Sequence, residues 1–200
     1  YYSLLTQMRV NGGNDYINLV NSILSGKCNQ VTCLENYEFK VIGDFKRFND
    51  LQQKMEAKFT LSRMIAGYAW EWKSKKNKSL YDMELDGVKK QWNYRLENWV
   101  LSEDADKQVG CIHTIQGFDL NFGFVIMGNE IGYDPKSKEI IVRPENYYDQ
   151  NGKRTASKEE LLEYIKHIYY VLMTRGIKGT YLYICDNNLR KYISSIIGEI

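Results

Sequence analysis

Short apolar runs alternate with amphipathic helical segments along most of this chain, and this alternation constrains the fold more than any other feature. Tyr16, Ile17, Val20 and Ile23 recur at helical spacing, whereas the run from Phe122 to Met127 is apolar throughout, as in a strand buried on both faces. The predicted elements are helix 15–24, strand 39–42, helix 48–59, strand 63–70, strand 122–127, helix 157–174, strand 180–185 and helix 187–197. Strands that alternate with helices predict an α/β domain with a mostly parallel sheet.

Two segments interrupt this alternation, and each has the pattern of a β-hairpin. The first, YDMELDGVKKQWN, turns on Asp86-Gly87, and the second, EIGYDPKSKEIIVRP, turns on Asp134-Pro135. We therefore expect one domain, residues 1–200, with insertions at about 72–108 and 129–156. A capping-box pattern from Ser157 to Glu160 marks the start of the long helix that follows.

Composition excludes several classes of protein. The formal net charge of +2 is too small to indicate nucleic-acid binding by itself, so such binding has to rest on local patches. No window approaches 18 uninterrupted apolar residues and no charged-then-apolar leader is present, which predicts a cytoplasmic protein with no membrane partner. Cys28 and Cys33 are spaced more widely than a usual zinc pair and have no nearby His, so we expect reduced thiols and no metal.

Three polar blocks lie at or just beyond the ends of predicted elements: LLTQMR near the start, IHTIQGFD in the middle and YVLMTRGIKGTYLY near the end. Arg9 and Arg175 supply guanidinium groups that suit phosphate oxygens. Gly117 allows close approach of the backbone to a ligand. Gln116 and Asp119 are hydrogen-bonding groups suited to a ribose or a bound water. Together these blocks predict a nucleotide site.

The same blocks, in the same order, resemble the fourth, fifth and sixth motifs of superfamily 1 helicases. LLTQMR resembles Leu-x-x-Asn-Tyr-Arg, HTIQGFD resembles His-Lys-Ser-Gln-Gly-x-Glu, and MTR resembles Leu-Thr-Arg. More narrowly, AGYAWEW, GCIHTIQGFDLN and LMTRGIKGTYLY are similar to predicted DNA/RNA helicases related to the Schlafen helicase region. This resemblance covers nearly the whole chain and implies the C-terminal RecA-like domain of a helicase-like P-loop NTPase.

The resemblance implies a role in nucleotide chemistry for four residues. Arg175 would reach the γ-phosphate of ATP as an arginine finger, and Arg9 would be a second phosphate contact. Gln7 would also lie at the nucleotide, and Asp119, in place of the family's Glu, would address the ribose.

The middle block is implied to connect nucleotide and nucleic acid. Gln116 and Gly117 would couple the two ligands, while His113 and Thr114 would face the nucleic-acid strand. Three departures from the family pattern, Met8, Cys111 and Ile177, leave base preference and some basic contacts in doubt.

The chain contains no G-x-x-x-x-G-K-[ST] sequence, which is the usual phosphate cradle. We therefore expect ATP and Mg²⁺ to be bound by an N-terminal RecA-like domain of the same protein, and this chain alone not to hydrolyse ATP. The start at YYSLLTQMR, without Met and within a strand-like run, is what a piece of a longer protein would show.

The segment AWEWKSKKNK places aromatic residues beside a basic run, a combination that suits single-stranded DNA or RNA. Trp70, Trp72, Lys73 and Lys75 are the candidate contacts. The alternative is a core tryptophan followed by a solvated loop.

Other interpretations stay open at this point. The alternative role of Arg175 is to complement the dipole of the preceding helix. The alternative role of His113 is purely structural. Glu71-Trp72-Lys73 has the E-x-K form of a metal-dependent nuclease strand, with Asp44 as its acidic partner. A third alternative is a non-catalytic module that binds nucleic acid or protein and derives from a helicase.

Overall fold

Nine strands and five α-helices make up the regular structure of the computed structural model, which describes residues 9–29, 34–95, 97–154 and 156–200. The strands are β1 Glu38–Val41, β2 Ser62–Ala66, β3 Met83–Leu85, β4 Val88–Lys90, β5 Val109–Gly110, β6 Leu120–Met127, β7 Ile131–Asp134, β8 Glu139–Val142 and β9 Gly176–Ile184. The helices are α1 Gly13–Leu24, α2 Phe45–Phe59, α3 Gln150–Lys153, α4 Lys158–Met173 and α5 Asn187–Ile197.

The central sheet has five parallel strands in the order β1-β9-β6-β2-β5. Alternate side chains of its middle strands point to opposite faces. On β6, Val125 and Met127 join the core formed with α1, α4 and α5, while Phe124 and Ile126 join the core formed with α2. This burial on both faces explains the continuous apolar run of β6. The predicted three-layer α/β fold of RecA-like type is confirmed.

One strand prediction was wrong at its end. The expected strand 63–70 stops at Ala66, and the chain then leaves the sheet. Gly67 lies against the side chains of Glu130 and Tyr169, and the Tyr68 carbonyl accepts a hydrogen bond from the Tyr148 amide at 2.8 Å. These contacts come from the second insertion and from α4, so they replace further pairing within the sheet.

Two other boundaries moved. Helix α2 begins at Phe45 because Asp44 caps it, with its carboxylate accepting from the Arg47 amide at 2.8 Å. Strand β9 begins four residues earlier than expected, at Gly176, beside a register irregularity opposite Leu120 and Phe122. The capping box of α4 is confirmed, whereas the strand-like run at the start of the chain, predicted to end at Arg9, lies outside the described residues up to residue 8.

Both predicted hairpins are confirmed. Strands β3 and β4 turn on Asp86 and Gly87, whose φ angles of 48° and 78° suit the tight turn of a two-residue hairpin. The Asp86 carboxylate accepts a hydrogen bond from the Phe45 amide at 2.8 Å and lies 3.3 Å from the Tyr183 hydroxyl. The first insertion is therefore attached to the amino terminus of α2 through a carboxylate. Across the part of the chain that is described, no helix is long and apolar enough to cross a membrane.

Replacing Asp86 by glycine should destabilise the domain by about 1 kcal/mol, because α2 loses an acceptor at its first turn. Glycine keeps the positive φ available at this position. The matched control is Lys138→Gly, which replaces another residue with positive φ (58°) in the other hairpin turn. Urea unfolding measures both variants; equal stabilities for the two would contradict the assigned role of Asp86.

Candidate functional site

Three of the predicted nucleotide-site residues lie together at the amino edge of the sheet. Asp119 directly precedes β6 and Arg175 directly precedes β9, and the two strands are neighbours. The Leu120 amide donates to the Arg175 carbonyl at 2.9 Å, which fixes the two positions relative to each other. Arg9 reaches the same place, with its Nε 3.0 Å from Asp119 Oδ1. Residues distant in sequence therefore form one charged group; Gln7 lies outside the described residues.

Arg175 has an unusual environment within this group. Its Nε atom is buried and has no hydrogen-bond partner among the described residues. Burial, and then the positive charge of Arg9, lower the pKa of the Arg175 guanidinium, while Asp119 acts in the opposite direction. A guanidinium remains protonated at neutral pH despite such shifts. The amino edge thus holds a half-buried guanidinium beside a second cation, and the predicted phosphate contact of Arg175 stays a prediction.

The block that connects β5 to β6 is a series of turns rather than a helix. Gly117 has a φ of 84° and is exposed, with no atom within 4 Å of the position that a Cβ would take. Gln116 is also exposed, so both residues are accessible to a ligand. Their predicted roles stay predictions.

Thr114 faces the inside of this turn instead of a nucleic-acid strand. It is 3% exposed. Its hydroxyl accepts from the Cys111 amide at 2.8 Å and donates to the Cys111 carbonyl at 3.0 Å. Direct contact with a strand, expected from the motif, does not fit this geometry. The residue shapes the turn that presents its neighbours.

The predicted nucleic-acid contacts lie around the opposite, carboxyl edge. His113 is exposed and its ring centroid is 6.1 Å from that of Tyr68, which follows β2. Tyr68 contacts Trp92 at 5.0 Å, and Trp92 contacts Trp72 at 6.1 Å. A continuous set of aromatic contacts therefore joins His113 to the first insertion.

The basic residues extend this aromatic surface. The Lys75 ammonium lies 4.9 Å from the centroid of the Trp72 ring, and Lys73 is exposed at the start of a short 3-10 helix. Trp70 and Trp72 are both half-buried, and Trp70 lies against the backbone of Gly128. The tryptophans thus have a packing role and also leave ring surface accessible beside a cation.

The sequence did not reveal a buried acidic group at this edge. Strands β2 and β6 are neighbours in the sheet. The chain leaves β2 towards β5 on one side of this pair and leaves β6 towards β9 on the other side. The carboxyl ends of β2 and β6 therefore form a topological switch point. Glu130 lies there and is 1% exposed. The Tyr169 hydroxyl donates to its Oε1, while Oε2 has no partner among the described residues. The only sequence signal was Gly-Asn-Glu directly after a fully apolar strand.

The structure does not favour the nuclease hypothesis. Glu71 lies in a loop beyond the end of β2 and is exposed, so the E-x-K segment lacks the strand geometry that this hypothesis needs. Asp44 is the amino-terminal cap of α2. Within the described ranges, no group of three or more His, Cys, Asp or Glu residues is arranged to hold a metal ion.

Residues 1–186 match the family model described as Schlafen group 3, DNA/RNA helicase domain. The chain belongs to this family. This Schlafen group 3 domain is also 28% identical over 214 residues to the uncharacterized protein YPL245W of Saccharomyces cerevisiae. That alignment covers 96% of the chain and 47% of the yeast protein, so the chain spans about half the length of this relative. No solved structure matches this chain.

Family membership confirms the predicted relation to the Schlafen helicase region and indicates a helicase-related function. The paired arginines and the aromatic–basic surface of this Schlafen group 3 domain are the features on which a more specific function has to rest.

Replacing Glu130 by glutamine should change how stability depends on pH. Burial raises the pKa of the Glu130 carboxyl from 4.5 to about 7. The folded state therefore keeps a proton that the unfolded state releases, and stability is lost as pH rises from about 4.5 to about 7. Between pH 5.5 and 8 the wild type should lose about 2 kcal/mol relative to Glu130→Gln. Urea unfolding at the two pH values measures this, with the exposed Glu145→Gln as control; parallel pH profiles would disprove the assignment.

Proposed function

We propose that this chain is the second, C-terminal RecA-like motor domain of a superfamily 1 helicase-like ATPase. The observation that carries the proposal is Arg175, a cation with a buried, unpartnered Nε beside a second arginine at the amino edge of the sheet. Asp119 offsets only part of the repulsion between the two guanidinium groups, so a further anionic ligand between them would stabilise the arrangement. The γ-phosphate of ATP is an anion of suitable charge and hydrogen-bonding capacity.

The phosphate cradle is assigned to an N-terminal RecA-like domain of the same protein. No Walker A sequence occurs in this chain. The amino terminus of α2, which lies at the carboxyl end of β1, is already occupied by the carboxylates of Asp44 and Asp86. That the chain spans about half of its yeast relative is compatible with a second domain.

In this mechanism Arg175 stabilises the negative charge that develops on the transferred phosphoryl group. Arg9 contacts the same phosphate from the side, and Asp119 orients Arg9 and offers an oxygen to the ribose. ATP and Mg²⁺ bound by the other domain would supply the phosphoryl group and the metal charge. Binding and release of the γ-phosphate contact would then close and open the cleft between the two domains.

Single-stranded DNA or RNA is the proposed partner at the other edge of the sheet. The aromatic rings and the positive charge at this edge come from His113, Trp70, Trp72, Lys73 and Lys75. The turns that include Gln116 and Gly117 run from the carboxyl end of β5 to the amino end of β6. A displacement of this connection would couple the phosphate edge to the strand edge.

Removing the guanidinium of Arg175 tests the motor function. In the full-length protein, with single-stranded DNA or RNA present, Arg175→Ala should lower the kcat of ATP hydrolysis by about 10³ or more. ATP binding should change much less, because an arginine finger acts mainly on the transition state. Lys178→Ala, which removes an exposed cation three residues later, is the matched control and should retain activity.

Two outcomes would overturn this role. If Arg175→Ala is as active as the wild type, the residue is not an arginine finger. If the full-length protein hydrolyses no ATP with any strand, the motor function fails, and the non-catalytic binding module becomes the better description.

The strand surface is tested through the salt dependence of binding. Lys75→Gln should reduce the slope of log K against log salt by about 0.7, the loss expected for one phosphate contact on a single strand. Lys58→Gln is the control, because its ammonium lies at the same distance, 4.9 Å, from the Phe59 ring but on α2. Identical slopes for both variants and the wild type would remove Lys75 from the proposed surface.

A further inference from the structure

The first insertion begins with a segment that has a local excess of positive charge. Residues 73–90 include six lysines and three acidic residues, although the whole chain has a formal charge of only +2. Two of the acidic side chains are used internally. Asp82 accepts from the Ser74 and Trp92 amides at 2.8 and 2.7 Å, and Asp86 caps α2. The exposed loop 73–81 thus has four lysines and no acidic residue.

Apart from the buried Ser74, this loop is held in place by polar contacts. The Gln91 side-chain amide donates to the carbonyls of Lys78 and Leu80 at 2.5 and 3.1 Å. The Asn77 side chain accepts from the amide and hydroxyl of Ser79 at 3.0 and 2.7 Å. As a result Tyr81, 53% exposed, is held in solvent on an ordered backbone. Tyr81 therefore exposes an aromatic ring at the end of the basic loop.

Lys78 is also held in a defined place. Its ammonium lies 4.0 Å from the centroid of the Tyr94 ring and donates to the Tyr94 carbonyl at 2.6 Å. No ion pair forms between Lys78 and any described acidic residue. An ammonium has three hydrogens, so two remain for another acceptor.

We propose that Lys78, Tyr81 and Tyr94 form a second contact for single-stranded nucleic acid, next to the Trp72–Lys75 surface. This contact rests on the proposed function, since it extends the same strand. A single strand alternates phosphates with flat bases, and it is bound by cations interleaved with aromatic rings. An acidic peptide would satisfy the lysines and leave the exposed Tyr81 ring without a matching group, so the nucleic acid fits better.

The contact assigns a separate task to each residue. Lys78 attracts a phosphate, Tyr94 positions the Lys78 ammonium, and Tyr81 stacks on a base. Stacking requires a base, whereas phosphate attraction does not. This difference makes the two contributions separable in one binding experiment.

The experiment uses the full-length protein and fluorescent single strands of about 16 nucleotides. One strand is oligothymidylate and the other is its abasic counterpart. Tyr81→Ala should weaken binding of oligothymidylate about fivefold or more and leave binding of the abasic strand unchanged. Lys78→Gln should reduce the salt dependence of binding for both strands. The control is Tyr148→Ala, an exposed tyrosine of the second insertion, which should behave as wild type.

The outcomes separate this contact from the broader function. If the wild type binds neither strand, the proposed nucleic-acid function fails together with this contact. If the wild type binds and strand-stimulated ATP hydrolysis is normal, but Tyr81→Ala and Lys78→Gln bind equally well, only the second contact is overturned. If both variants keep strand binding and lose binding to polyglutamate, the surface recognises an acidic protein and the proposal is wrong.

Discussion

The pairing of β6 with β9 is the constraint on which the candidate site depends. These two central strands are parallel and neighbours, so the residues that precede them, Asp119 and Arg175, are brought together at one edge. The hydrogen bond from the Leu120 amide to the Arg175 carbonyl fixes the relative positions of these two residues. Arg9 joins them through its ion pair with Asp119. The register of two buried parallel strands is strongly fixed. A shift by one residue would move each side chain to the opposite face of the sheet, and so into the other core. The backbone positions of Asp119 and Arg175 are therefore set by the sheet.

The same sheet keeps two kinds of chemistry apart. Two arginines and an aspartate lie at its amino edge, whereas aromatic rings and lysines lie around its carboxyl edge. A chain segment that connects the two edges is one route by which a change at one edge reaches the other. The segment 111–119 is such a connection, and the buried hydroxyl of Thr114 stiffens its first turn. In the proposed motor, this makes Thr114 a structural support for coupling and not a ligand contact.

The local features of this fold could be predicted from sequence, but several long-range ones could not. Asp86-Gly87 dictates a hairpin, and Ser157 with Glu160 dictates a helix start, because both signals act within a few residues. The early end of β2 depends on Tyr148, eighty residues away in the chain. The buried position of Glu130 depends on Tyr169 and on the strand order. The motif residues could be recognised from sequence because the motifs follow one another in a fixed order along the chain. The edge of the sheet at which each residue lies follows only from the strand order.

The first insertion occupies the position of this domain at which a phosphate would otherwise find a helix amino terminus. A helix amino terminus at the carboxyl end of a strand is a natural anion site. At α2 that site is filled by two carboxylates, Asp44 from the preceding strand end and Asp86 from the inserted hairpin. A phosphate would have to displace both against like-charge repulsion, so this position disfavours nucleotide. The hairpin is thereby attached to the domain at the anion site. This attachment supports the basic loop for which the second contact with single-stranded nucleic acid is proposed.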